Sequence, residues 1–211
     1  IIDAAVKSGF DAVKFQAYDE NMIKEHPLRK RLMKSAITKD NIENIHALAK
    51  SVGIEWFCTP MYLEAVDLLE PFVNKFKIRV SDGRTLIENN PSELVNKILQ
   101  SDKEIIVSVE TNPKNNKFSD NQKINWLYCV PKYPCPLSEL DFRDFNNFDG
   151  YSNHCQNIVA PLTAVALGAK IIEVHVTSDK SKDFIDNLVS FDYLEQLELC
   201  NYIRNCEKIK K

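Results

Sequence analysis

Short apolar runs of strand length alternate with helix-length segments along nearly the whole chain, and this alternation restricts the fold more than any other feature. Strands are predicted at residues 11–16 (Asp-Ala-Val-Lys-Phe-Gln), 54–58, 75–80, 104–109, 124–130, around 151–152, and 170–176. Helices are predicted at 39–51, with Thr38 as N-cap and Gly53 as stop, at 62–69, at 91–99 with Pro91 in the first turn, at 137–145, 158–167 and 192–209. The basic stretch 24–34 reads as a long loop or a short helix. This spacing implies βαβ units and a parallel sheet. Residues 1–6 read as the end of a helix stopped by Gly9, and the chain opens without methionine, so further residues, including a first strand, are expected upstream. Seven strands and that one make a (β/α)8 TIM barrel, a single α/β domain over residues 1–211. One unit is irregular. The residues after Val109 are polar and contain Pro113, so the fifth helix is reduced to a loop.

A hydrophobic share of 44% supplies a large core, and a net charge of −3 argues against nucleic acid or an anionic membrane as partner. The apolar runs are too short to span a bilayer, and no signal peptide is visible. Six cysteines form no CxxC and no zinc-ribbon spacing, which reads as buried free thiols in a reducing cytosol.

Two consecutive strands end on histidine, in Gly150-Tyr-Ser-Asn-His154 and Ile171-Ile-Glu-Val-His175, with one helix between them. In a parallel sheet those ends lie side by side, a geometry that can hold one divalent metal. A single histidine so placed is more often structural, but two in tandem units on one face shift the balance toward a metal. Barrel chemistry sits at the C-terminal strand ends. Here these carry Lys14, Gln16, Thr59, Lys77, Ser81, Asp82, Ser108, Tyr133, Ser152, His154 and His175. Lysines and hydroxyls suit phosphate and carboxylate, and imidazoles suit a transition metal. Lys14, between Val13 and Phe15 on a buried strand, is costly unless it meets an anion.

The same segments carry a resemblance. Residues 11–16, Phe57-Cys-Thr-Pro60, Phe76-Lys-Ile78, Tyr133-Pro134, 150–154 and Ala166-Leu-Gly-Ala-Lys-Ile-Ile-Glu-Val-His175 resemble, in order, the sialic acid synthase family. That family contains N-acetylneuraminate, legionaminate and pseudaminate synthases and spore-coat polysaccharide proteins. The resemblance implies condensation of phosphoenolpyruvate with the open-chain aldehyde of an N-acylated amino-hexose. The product is a nine-carbon keto sugar acid for surface polysaccharide, and phosphate is released. By position it implies phosphoenolpyruvate contacts from Lys14, Thr59, Lys77, Ser81, Ser108 and Ser152. His154 and His175 would hold a divalent metal, manganese or magnesium, as a Lewis acid. Sugar contacts would come from Gln16, Asp82, Tyr133 and Asp186, and catalytic roles fall to Lys14, Gln16 and Asp82. A homodimer through the barrel and a cytoplasmic location are further expectations. The family's C-terminal antifreeze-like domain is not found in this chain.

The sequence departs from that family in the pocket. After Lys77 the family has serine, glycine and glutamate. Here the run is Ile78-Arg-Val-Ser-Asp82, with the serine displaced by one and aspartate for glutamate. A one-residue slip turns a side chain to the other face. Pro131 replaces an asparagine, Asn153 an aspartate and Val174 a lysine. Arg79, unusual in a barrel strand, is expected to pair with an acidic neighbour or to reshape the sugar site. The basic run 28–31 is expected to be a solvated loop, or a lid. Two rival readings follow from these losses. One is a degenerate, non-catalytic barrel binding a sugar, a phosphate ligand or an assembly partner, and the other is a metal-dependent aldolase or isomerase.

Overall fold

The computed structural model describes residues 1–209, so the last two positions of the expected domain 1–211 lie outside the described residues. Seven strands are present: β1 (Ala12–Ala17), β2 (Glu55–Pro60), β3 (Lys75–Ile78), β4 (Glu104–Val109), β5 (Ile124–Cys129), β6 (Gly150–Asn153) and β7 (Ile171–Val174). They form one sheet in sequence order, every neighbouring pair parallel. The connecting helices are α1 (Ile2–Ser8), α2 (Arg29–Leu32), α3 (Ile42–Val52), α4 (Leu63–Leu69), α5 (Val80–Ile87), α6 (Glu93–Gln100), α7 (Val159–Ala166) and α8 (Tyr193–Ile209). This is the expected α/β barrel architecture. No helix among the described residues is long and apolar enough to cross a membrane.

The sheet curls on itself. Among the described residues no ladder joins the outer strands β1 and β7, yet Lys14 of β1 and Glu173 of β7 meet at 3.3 Å. That ion pair spans the gap between the two outer strands. Most of the buried apolar residues form one continuous core between β1–β5 and their helices. A second cluster, around Tyr128, Phe145 and Tyr151, lies under the loop that follows β5.

Four local expectations are corrected. The strand expected over 75–80 ends at Ile78, and residues 80–87 are helical. Arg79 stays extended and its carbonyl accepts from the amides of Asp82 and Gly83, so Ser81 and Asp82 open a helix instead of ending a strand. A Cβ at Gly83 would overlap the carbonyl oxygen of Ser108, so only glycine lets α5 pack so closely on β4. Helix α3 starts at Ile42, and Thr38 opens the preceding turn, its carbonyl accepting from Asn41 and Ile42. Ser92, not Pro91, heads α6, its hydroxyl accepting from Val95 at 3.3 Å. Residues 137–145 form no α-helix but include a 3-10 turn, Leu137–Glu139, with another at Phe145–Asn147. There the Tyr128 hydroxyl accepts from the Asp141 amide, and the Phe142 ring packs on Tyr128, so tertiary contacts override a helical pattern.

The reduced helix between β4 and β5 is borne out. Residues 110–123 contain turns and no helix, held by buried Asn116, whose amide donates to the Leu86 carbonyl. The six cysteines are free, five of them buried and Cys206 half-buried.

Candidate active site

Side chains alternate along a strand, so each strand sends every second residue into the barrel. At the level of Lys14 the inward positions hold an ionic cluster. Lys77 is buried on β3. Its ammonium donates to the Ser108 hydroxyl at 2.6 Å and to the Ile78 carbonyl at 2.9 Å. Glu173 reaches both lysines, with one oxygen 3.3 Å from Lys14 and the other 3.7 Å from Lys77. Burial opposes ionisation of Glu173, but Lys14, Lys77 and His175 outweigh it and hold the carboxyl at about 2. Burial lowers Lys77, and Glu173 works against that shift. The cluster carries two ammonium groups against one carboxylate, an excess of positive charge in a half-enclosed place. A cavity of about 320 Å³ lies at the seam, with Lys14, Glu173, Lys75, Glu55 and Glu104 in its walls.

Two residues further along this strand pair come the two histidines, His154 just past β6 and His175 just past β7. Their ring centroids are 5.3 Å apart. The Tyr133 ring lies 3.9 Å from His154 and meets His175 edge-on at 5.7 Å. Nδ1 of His154 donates to the Val130 carbonyl at 2.8 Å, which leaves its Nε2 with a lone pair. Burial lowers both imidazoles, His175 to about 4, so both are neutral near pH 7. Nδ1 of His175 is 3.6 Å from the Asp186 carboxylate, and Asp186 sits in a left-handed conformation at φ 61°. Two neutral, converging imidazoles backed by a carbonyl and a carboxylate fit a divalent ion. Among the described residues they are not joined by a third histidine, cysteine or carboxylate in ligating geometry.

Of the other residues singled out in the sequence, Thr59, Ser108 and Ser152 are buried at their strand ends. Gln16 is exposed at the rim. Ser81 is exposed in the first turn of α5. Asp82 is taken by Arg79, at 2.7 Å, the acidic pairing expected for that arginine. Lys132 turns to Glu139, and Asn153 is wholly buried in bonds to Tyr151 and Cys155, so neither points at the cluster. Arg31 of the basic run donates to the Asp183 carbonyl and lies 4.8 Å over the Phe184 ring, tying the loop after β1 to the loop after β7. The residue that sequence reasoning left unassigned is Glu173. Its signal was there, a carboxylate in an apolar strand, two positions before His175 and so on the same face.

A family model described as the NeuB family matches residues 1–211. The chain is 31% identical to the N,N'-diacetyllegionaminic acid synthase of Campylobacter jejuni, over 99% of this chain and 71% of that protein. It is 28% identical to the pseudaminic acid synthase of the same species, over 98% of this chain and 68% of that protein. It thus spans about two thirds of the length of these relatives. Among solved structures, the N-acetylneuraminic acid synthetase of Leptospira borgpetersenii, determined with citrate, superposes with a TM-score of 0.80. The identity is 26%, covering 99% of this chain and 77% of that one.

Proposed function

The chain belongs to the NeuB family, and on that premise we propose that it condenses phosphoenolpyruvate with the aldehyde of an N-acylated amino-hexose. One new carbon–carbon bond forms, water adds at C2 and phosphate leaves, giving a nine-carbon keto sugar acid. The observation that carries this reading is the Lys14–Glu173–Lys77–Ser108 cluster beside the paired imidazoles. Its positive excess suits a small polyanion, and the imidazoles suit an ion next to it.

In this reading Lys14 and Lys77 bind the carboxylate and phosphate of phosphoenolpyruvate, with Ser108, Thr59 and Ser152 donating hydroxyl hydrogen bonds. Glu173 fixes both lysine side chains before substrate arrives, which lowers the reorganisation needed on binding. His154 and His175 would hold manganese or magnesium, which when bound supplies a Lewis acid for the aldehyde oxygen. Tyr133, standing over His154, walls the acceptor side, with Gln16, Asp186 and Asp82 around the sugar. The substrates are small molecules. A cytoplasmic site of action follows from where phosphoenolpyruvate is found, and pairing of two barrels remains part of the proposal.

A second reading has specific support. Ser81 is exposed and Pro131 offers no side-chain hydrogen bond, so the anion shell is thinner than the family pattern, as a non-catalytic binder would have it. One experiment separates the two. The chain is incubated with manganese, phosphoenolpyruvate and a panel of N-acylated amino-hexoses, and phosphate release is followed, with the His154→Ala/His175→Ala double variant as blank. Acceptor-dependent release supports the synthase. Binding of phosphoenolpyruvate without release for any acceptor favours the binder.

A further inference from the structure

Strand β3 carries inward-facing cations at Lys75 and Lys77, and a third cation, Arg79, follows at the same two-residue spacing just past the strand. Lys75 and Lys77 face the interior by their contacts. Lys75 sits between Glu55 at 3.4 Å and Glu104 at 2.8 Å, and Lys77 meets Glu173 and Ser108. Arg79 remains extended, with φ −73° and ψ 166°, so two residues on from Lys77 it returns to the same face, now at the C-terminal rim. The close packing of Gly83 on the Ser108 carbonyl, between Val107 and Val109, fixes the first turn of α5, headed by Arg79, against the outer face of β4 at its C-terminal end.

The three cations differ in their counter-ions. Lys75 and Lys77 are paired with carboxylates from other strands. Among the described residues Arg79 pairs with Asp82 alone, three residues along its own chain, and its side chain is 39% exposed. An ion pair that open to water contributes little, and a guanidinium fork takes phosphoryl oxygens two at a time.

We propose that Arg79 is a specificity-determining residue for the phosphoryl end of phosphoenolpyruvate. Its guanidinium exchanges Asp82 for two phosphoryl oxygens at the rim, while Lys77 and Ser108 hold the same anion from below. The inference rests on the function proposed above and names a residue that the exposed Ser81 leaves room for. Nothing covalent is involved: as phosphate takes its place, Asp82 is released to the acceptor side, where the proposed function puts it.

The test is calorimetric titration of phosphoenolpyruvate, and separately of pyruvate, into the manganese-loaded chain. The variants are Arg79→Ala, Arg79→Gln, Arg79→Lys, Asp82→Asn and, as control, Arg84→Ala, which removes an exposed arginine of the same helix paired with Glu110. Loss of a charged hydrogen-bond donor is expected to weaken phosphoenolpyruvate about ten- to a hundredfold in the alanine and glutamine variants. Lysine restores part of it, lacking the fork. Asp82→Asn, which frees the guanidinium, binds phosphoenolpyruvate more tightly than wild type, and the Arg84→Ala control is unchanged. Pyruvate, which lacks the phosphoryl group, binds wild type and Arg79→Ala alike. Circular dichroism melts identify any variant that fails to fold, and the glutamine variant then stands in for alanine. Equal phosphoenolpyruvate affinity in wild type and Arg79→Ala, or an equal loss for pyruvate, overturns the assignment while the proposed function stands. A wild type that binds no phosphoenolpyruvate overturns both.

Discussion

Glu173 and Lys77 belong to β7 and β3, four strands apart in the sheet order, yet their charged groups lie 3.7 Å from each other inside the barrel. Only a curled sheet can bring them together, and the same carboxylate holds Lys14 at 3.3 Å. Removing it leaves two ammonium groups facing each other without a counter-charge. Glu173→Gln is expected to lower unfolding stability by about 3–5 kcal/mol, the usual cost of breaking one side of a buried ion pair. Urea unfolding measures it, and a variant as stable as wild type would show the cluster to be neutral in energy.

The same group sets an acid limb. Its folded value of about 2 lies below the roughly 4.3 of a free glutamate, so its contribution is complete above pH of about 4.3 and is lost as pH falls toward 2. Wild-type stability should therefore decline across that window, and Glu173→Gln should decline less. Melting temperatures at half-unit pH steps test this. Parallel curves for the two proteins would exclude Glu173 as the source.

Thiol reactivity should be confined to one position. Burial pushes Cys58, Cys129 and Cys135 up to about 12 and Cys200 to about 11, so at pH 8 they are protonated and poor nucleophiles. Cys155 is buried as well, and Cys206 alone is half-buried. Ellman's reagent is expected to titrate about one thiol in the native protein and all of the cysteines in urea. Rapid native reaction of several thiols would contradict the burial described.

Gly150 begins β6 where a Cβ would overlap the carbonyl oxygen of Ile171 on β7. Gly150→Ala should cost at least about 1–3 kcal/mol and spread the two histidine-bearing strands. A lower melting temperature together with weaker manganese binding is the expected pair of results. An unchanged melting curve would mean the strands can part freely.

Manganese binding itself should need both imidazoles. His154→Ala and His175→Ala are each expected to abolish tight binding as followed by the electron paramagnetic resonance of free manganese. Tyr133→Phe, which keeps the ring over His154, should retain it. Tight binding in either histidine variant would remove the metal from the proposal.

Much of this was legible in the sequence because strand-length apolar runs and strand-end polar residues both leave periodic marks. The seven strands, the polar loop in place of a helix after Val109, and the approach of His154 to His175 follow from such marks. Helix α5 did not, because Ile78-Arg79-Val80 reads as strand until Gly83 is known to need contact with Ser108. Glu173 escaped because its partners, Lys14 and Lys77, lie 159 and 96 residues away in the chain, and only barrel curvature makes them neighbours. Asp82 and Ser81 were misplaced for a local reason, one helical turn where a strand end was expected.

The two lysines that would bind an anion are also the groups that tie Glu173 of β7 to β1 and β3. An anion arriving at Lys14 and Lys77 competes with Glu173 for the two groups that pull β1 toward β7. Filling the pocket is therefore expected to change how firmly Glu173 holds its two partners. Amide exchange along β1 and β7 would register whether the pocket is filled.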